Sequence, residues 1–215
     1  MSINLHTYYK ILEVADAASA TLVAVSKTKS VSDILELYHA GHRHFGENYV
    51  QELCEKRSKL PEDIHWHFIG HLQRNKVKML APFVHLIQGV DSESLLLEIQ
   101  KQAAAYGRVI DCLLQIFIAT EETKYGMSES ELQSALKLAS TLTHVRVKGL
   151  MGMASFTDDK EKVLDEFQYL KRLFDNCKVS SEFNTLSMGM SADYNLALNA
   201  GSNMIRVGSL FFGQR

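Results

Sequence analysis

Lys27 stands directly after the apolar run Leu22-Val23-Ala24-Val25 and Ser26. An amine at the end of a buried strand is partly desolvated, which favours its neutral, nucleophilic form. Lys29, two residues on, can add like-charge pressure. A neutral lysine amine is what Schiff-base formation with a carbonyl requires. The plain alternative is a solvated lysine at a strand end. Far along the chain lie two small-residue turns, Ser187-Met188-Gly189-Met190-Ser191 and Arg206-Val207-Gly208-Ser209. Glycine allows close backbone approach, serine adds a hydroxyl, and helix N-termini point N–H groups at an anion. The two turns together suit a phosphate, although tight-turn geometry alone would use the same residues.

The elements that must position these residues alternate. Strand-like runs occur at Leu22–Ser26, Arg43–Gly46, His65–Ile69, Phe83–Ile87, Cys112–Ile118, Val145–Leu150, Asn184–Ser187 and Asn203–Val207. Helical patterns lie between them. Val31 to Ala40 ends at Gly41, and Asn48 can cap a helix through Lys56. Arg74 to Leu80 is basic, and Asp91-Ser92-Glu93 starts a helix that Gly107 stops. Ser128 and Glu131 have capping-box spacing. Val163, Phe167, Leu170 and Phe174 recur at helical intervals in about Asp159 to Asp175, and a last helix surrounds Ala192 to Asn199. Eight repeats of about 27 residues are typical of βα units with a parallel sheet. They predict one α/β domain over residues 1–215, a near-minimal (β/α)8 TIM barrel. An open doubly wound sheet is the alternative, but no GxGxxG or Walker-type loop supports a nucleotide-binding version.

Barrel active sites lie at the C-terminal strand ends, and the loops after strands seven and eight often hold a phosphate. A lysine after strand one and a phosphate cup there would bracket a small aldehyde-bearing phosphate, and pyridoxal 5′-phosphate (PLP) fits. Arg206 would then lie near the ring. Arginine keeps its proton, so it would donate to the pyridine nitrogen and leave that nitrogen unprotonated. Such a ring is a weaker electron sink than one paired with a carboxylate.

The composition narrows the function class. Of 215 residues, 46% are apolar and 22% charged, ordinary globular usage able to bury a full core. Net charge is −2, which excludes a strongly basic nucleic-acid binder and an acidic disordered tail. Cys54, Cys112 and Cys177 are widely spaced and odd in number, which suits reduced thiols in the cytoplasm. The start lacks a signal-peptide pattern, and no run approaches the roughly 18 apolar residues of a membrane span.

The segments LVAVSKTKS (22–30), HFGENYVQE (44–52), HWHFIGHLQRNK (65–76), VKGLMGM (147–153) and LSMGMSADYNLALNAGSNMIRVGSLFFGQR (186–215) closely resemble the YggS/PROSC family of pyridoxal phosphate homeostasis proteins. The resemblance runs in order over nearly the whole chain. It implies a barrel similar to the alanine racemase N-terminal domain, the fold-type III arrangement, with PLP bound through the lysine of AVSKTK, here Lys27. It further implies that Ser191, Gly208 and Ser209 hold the phosphate and that Arg206 faces the pyridine nitrogen. Asn48 and Met151 would line the ring pocket. The sequence departs from the family pattern at Ser30, where a proline usually stands, at His71 in the usual GPLQ, and at Ser209, usually threonine.

The function expected is intracellular PLP buffering or delivery, with PLP-dependent apo-enzymes as recipients, no robust catalysis and a monomeric state. A fold-type III racemase or decarboxylase is the second reading. It needs two opposed acid/base groups, and in alanine racemase-like enzymes the second comes from an additional β-domain of a partner subunit. The sequence extends only a few residues past strand eight. The remote rival is a metal-dependent hydrolase, suggested by His42, His44, His65, His67 and His71. His65 and His67 come too early in their strand for that site, and no carboxylate ligand follows strand eight. Hydrogen-bonded, partly buried histidines are expected there, and no metal.

Overall fold

The computed structural model describes residues 3–119, 125–177 and 181–213. The helix α1 (Leu5–Ala17) comes first, capped by the Asn4 side chain, which accepts from the Thr7 N–H. Tyr8, Ile11 and Ala15 recur at spacings of three and four, and this face is buried. There follow β1 (Thr21–Val25), α2 (Val31–His39), β2 (His44–Glu47), α3 (Val50–Arg57) and β3 (His65–Phe68). A 3-10 turn (Arg74–Lys76) leads into the short α4 (Val77–Leu80), then β4 (Leu86–Val90), α5 (Glu93–Ala105) and β5 (Ile110–Ile116). The remainder is α6 (Glu129–Ala139), β6 (Val145–Gly152), α7 (Lys160–Asn176), β7 (Thr185–Ser187), α8 (Tyr194–Asn199), β8 (Met204–Val207) and α9 (Ser209–Phe212).

Among the described residues, eight parallel strands pair in chain order and β8 closes on β1, giving the (β/α)8 barrel. The Ser128–Glu131 capping box forms at α6. A second capping box opens α2, where Ser30 accepts from the Asp33 N–H and Asp33 accepts from the Ser30 N–H. The serine at that position thus starts the helix with a side-chain cap.

Strand β5 is Ile110–Ile116, two residues earlier than Cys112–Ile118, β1 and β2 each shift by one residue, and three further differences have physical reasons. Strand β4 is Leu86–Val90, three residues later than Phe83–Ile87. Gln88 and Gly89 break the apolar pattern, yet Gln88 is fully buried inside the barrel because its amide is hydrogen-bonded there. Asn48 does not cap α3; Tyr49 occupies that position without a side-chain hydrogen bond. Strand β6 continues through Met151 and Gly152, so Met151 belongs to the strand and not to the loop after it.

Inside the barrel, Val23, Leu86, Leu113, Met151 and Met204 form a small apolar cluster separate from the larger core between sheet and helices. Side chains two residues further along the strands form the next level up, because successive strand residues alternate faces. Arg206 on β8 and Gln88 on β4 belong to that level, and both are buried.

Candidate functional site

The C-terminal ends of the strands surround a cavity of about 560 Å³, within the usual range for a small-molecule site. Lys27, Asn48, Ser191, Arg206, Gly208 and Ser209 all line it, each from the strand end or loop that the sequence predicts. Met151 does not. It is fully buried in the apolar cluster below, and Met153, two residues on, lines the cavity and packs on that cluster instead. The strand runs two residues further than expected, so the same face is presented by the next inward position.

The loop carrying Lys27 is held from beneath by buried charge. Glu47 is fully buried; its Oε1 accepts from Ser26 Oγ at 2.6 Å and from Lys56 Nζ at 2.7 Å. Lys56, itself 5% exposed, also donates to the Ser26 carbonyl at 2.7 Å and to Glu52 Oε1 at 2.6 Å. That same Glu52 oxygen accepts from the Thr28 N–H at 2.6 Å. Thr28 has a φ of 63°, a left-handed conformation that costs a β-branched residue on the order of 1–3 kcal/mol. The Glu52 contact and the turn from Lys29 N–H to the Ser26 carbonyl hold it there, and so fix the chain next to Lys27. Burial pushes the Glu47 carboxyl upward, while Lys56 and Ser26 draw it back. The Lys29 ammonium is engaged by the carbonyls of Phe212 and Gly213, at 3.2 and 2.9 Å, and so ties this loop to the chain after β8.

Arg206 is buried at the cavity floor. It donates through Nη1 to Ser187 Oγ at 2.5 Å and through Nη2 to the Gly152 carbonyl at 3.0 Å. Burial lowers its pKa to about 10, with Asp193 opposing that shift, so the guanidinium stays charged at neutral pH. Ser187 Oγ in turn donates to Gln88 Oε1 at 2.7 Å, and Gln88 Nε2 donates to His67 Nδ1 at 3.0 Å. The guanidinium is therefore fixed by a chain of donors running down through the barrel.

On the β7–β8 side, the Gly208 N–H points at Ser191 Oγ, 3.5 Å away, which brings both small-residue turns to one wall. Gly208 packs so tightly on β1 that a Cβ would lie 2.5 Å from the Val25 carbonyl oxygen. Gly189 has a φ of 96° and lies under α8, where a Cβ would meet that of Ala197 at 2.5 Å. Met190 N–H donates to Asp193 Oδ1 at 2.6 Å and closes the turn before α8. On the β2 side, Asn48 lines the cavity, and its Oδ1 is buried with no hydrogen-bond partner among the described residues.

Two supports escaped the sequence reading. The loop after β6 is pinned by Glu166, whose two oxygens accept from the Ser155 N–H and Oγ, each at 2.6 Å. This loop carries Phe156, 90% exposed, to the cavity rim. Glu166 sits on the apolar stripe of α7 between Val163 and Phe167, and a carboxylate in a buried stripe was the available signal. Lys56 likewise follows Leu53 at a spacing of three on the buried face of α3. Of the remaining histidines in the sequence cluster, His71 lies near the cavity end of the barrel, stacked on Tyr125 at 4.0 Å and paired with Asp91 at 3.0 Å. His42 is bonded to Tyr8 Oη and the His44 carbonyl, away from the cavity.

Comparison with known proteins places this geometry. Residues 5–215 match the family of the alanine racemase N-terminal domain. The chain is 37% identical over 206 residues to the pyridoxal phosphate homeostasis protein of Pasteurella multocida, covering 92% of this chain and 88% of the relative. It is 36% identical over 212 residues to the protein of the same name from Schizosaccharomyces pombe, covering 96% and 89%. The structure of PipY from Synechococcus elongatus PCC7942, solved with PLP bound, superposes with a TM-score of 0.86 at 32% identity, over 96% of this chain and all of that one. The chain belongs to the pyridoxal phosphate homeostasis protein family, built on the barrel of the alanine racemase N-terminal domain.

Proposed function

We propose that the cavity at the C-terminal mouth binds pyridoxal 5′-phosphate, with Lys27 as the attachment residue, and that the protein holds and releases this cofactor. The observation that carries the reading is one wall-to-wall arrangement. Lys27, the buried Arg206 and the Ser191–Gly208–Ser209 wall share a single cavity of a size suited to one small ligand. The relatives' names and the PLP bound to PipY support the same ligand class.

The residues present fit the group. When bound, PLP supplies an aldehyde that condenses with a lysine amine with loss of water. The strained Thr28 turn and the Glu47–Lys56–Glu52 network hold Lys27 at the mouth. Ser191 and Ser209 offer hydroxyls, and Gly208 lets the backbone approach a phosphate without a Cβ. Arg206 can only donate, so a pyridine nitrogen facing it is held unprotonated. Asn48 adds a polar side chain to the β2 wall of the cavity. Ile69 and Met153 provide apolar wall for the ring.

The finer reading is a buffer or carrier supplying apo-enzymes. Amino acid racemisation needs a second acid/base group opposite the lysine. Besides Lys27 and Arg206, the ionisable side chains among the described residues lining the cavity are Lys29, held by the Phe212 and Gly213 carbonyls, and Asp193, engaged by the Met190 N–H, so both are committed to structural contacts. The guanidinium at the ring nitrogen also weakens carbanion stabilisation.

The test is a PLP titration followed by visible absorbance, for the wild type and for Lys27→Ala. The wild type gains a saturable band; the variant stays folded and gains none. A variant that turned fully yellow would remove Lys27 from the site. Rapid turnover of an amino acid by the wild type would replace the carrier reading with an enzymatic one.

A further inference from the structure

The opposite end of the barrel carries a second cluster of ligating side chains, and the cavity reading does not use it. His44 opens β2, His65 opens β3, and the two are register partners across the sheet. His85 immediately precedes β4, and His67 lies one inward position above His65. All four rings gather at the N-terminal mouth. His65 and His85 stack at 4.4 Å and 10°. His44 Nδ1 lies 3.0 Å from His67 Nε2, and His44 Nε2 lies 3.4 Å from His65 Nδ1. Among the described residues, His44, His67 and His85 form the set of three whose potential metal-ligand atoms all lie within 4.8 Å of one another.

We propose that this mouth is a three-imidazole site for a divalent transition-metal ion such as Zn²⁺, with His44, His67 and His85 as ligands and a fourth position open to solvent. The ligand set selects the metal class. Imidazole nitrogens suit zinc, copper and nickel, whereas calcium and magnesium require oxygen ligands that this set lacks. Asp111, whose charge acts on His85, is already held by both Nε and Nη2 of Arg146, at 2.6 and 3.1 Å.

The geometry needs little adjustment. Tetrahedral zinc with Zn–N bonds of about 2.0–2.1 Å places ligand nitrogens about 3.3 Å apart. His44 and His67 already stand near that separation. His85 is exposed and can swing inward, and its exposure also supplies the entry path. Burial and the neighbouring rings hold His44, His67 and His85 below the ordinary histidine pKa, the direction that favours the neutral imidazole a metal binds.

A second-shell partner stands beside His67. His67 now accepts from Gln88 at Nδ1 and so carries its proton on Nε2, toward His44. Metal at Nε2 moves that proton to Nδ1 with no net change in protonation. Gln88 then turns its amide to present Oε1, giving up the bond that oxygen accepts from Ser187 Oγ, and becomes the kind of outer partner that fixes a metal-bound imidazole. This site lies at the end of the barrel opposite Lys27, so it is not the hydrolase centre that paired histidines suggest in sequence.

The test is a Zn²⁺ titration of untagged, metal-free full-length protein against a chromophoric chelator. Wild type, His85→Ala, His44→Gln and the surface control His6→Ala are compared, with thermal melts to verify folding. The expected result is one equivalent bound by the wild type and by His6→Ala. His85→Ala and His44→Gln each lose at least about tenfold in affinity. Absence of stoichiometric binding in the wild type would overturn the proposal. So would wild-type affinity in both cluster variants, or a loss produced by His6→Ala.

Discussion

At the C-terminal mouth, buried cations are fixed by oxygen. Arg206 rests on a hydroxyl and a carbonyl, and Lys56 rests on two carboxylates and a carbonyl. At the N-terminal mouth four imidazoles gather, and burial with the neighbouring rings holds His44 and His67 below the ordinary histidine pKa. A column of hydrogen bonds, from Arg206 through Ser187 and Gln88 to His67, joins the two. The contrast teaches what each end can hold. Fixed positive charge and hydroxyls suit an anion, whereas neutral nitrogen lone pairs suit a cation. One barrel interior sustains both because they lie at opposite ends, with an apolar cluster between them.

The largest effect should come from breaking the charge support at the C-terminal mouth. Lys56→Met leaves Glu47 buried without its cation, which costs about 3–5 kcal/mol. Urea denaturation should show that loss, together with weaker PLP retention as the Thr28 turn relaxes. A change below about 1 kcal/mol would show that the network is not what holds the loop.

Acid should act next, through the other end. His42 and His44 are each lowered to about 4 by burial, against 6.5 in the unfolded chain. Between those values the unfolded state binds more protons, so stability is full above 6.5 and is lost as pH falls toward 4. For the deeply buried His42 the loss reaches on the order of 3 kcal/mol. Denaturation midpoints measured from pH 7 to pH 4.5 should fall, and His42→Gln should flatten that slope. A wild-type profile flat over the same range would contradict the neutral-imidazole description.

Gly208→Ala tests the tight wall. The added methyl meets the Val25 carbonyl oxygen, which must shift at a cost of about 1–3 kcal/mol. Weaker cofactor binding should accompany the lower stability; unchanged binding would place the phosphate elsewhere. The smallest effect is expected from Ser191→Ala, which removes one hydroxyl worth about 1 kcal/mol, or roughly fivefold in PLP affinity. Attachment at Lys27 should persist in that variant.

What the sequence disclosed follows from which contacts are local. β1 and β8 end in short small-residue or basic motifs, so their apolar runs point straight at Lys27, Gly208 and Ser209. Capping at Ser128 is decided within four residues and was legible for the same reason. Met151 was placed two residues too high because Gly152 extends β6 rather than ending it. β4 was placed too early because a buried glutamine reads as polar until its barrel partners are known. The Glu47–Lys56 pair crosses from a strand to a helix, and a pattern of single residues does not announce it. The paired histidines were visible, but His85 joined them only once β4 began at Leu86.

The most direct test of the central claim is borohydride reduction of the PLP-loaded protein followed by peptide mass mapping. The structure predicts a single stoichiometric pyridoxyl adduct on Lys27. An adduct on Lys29, Lys56 or any other lysine with Lys27 unmodified, or no adduct at all, would contradict it.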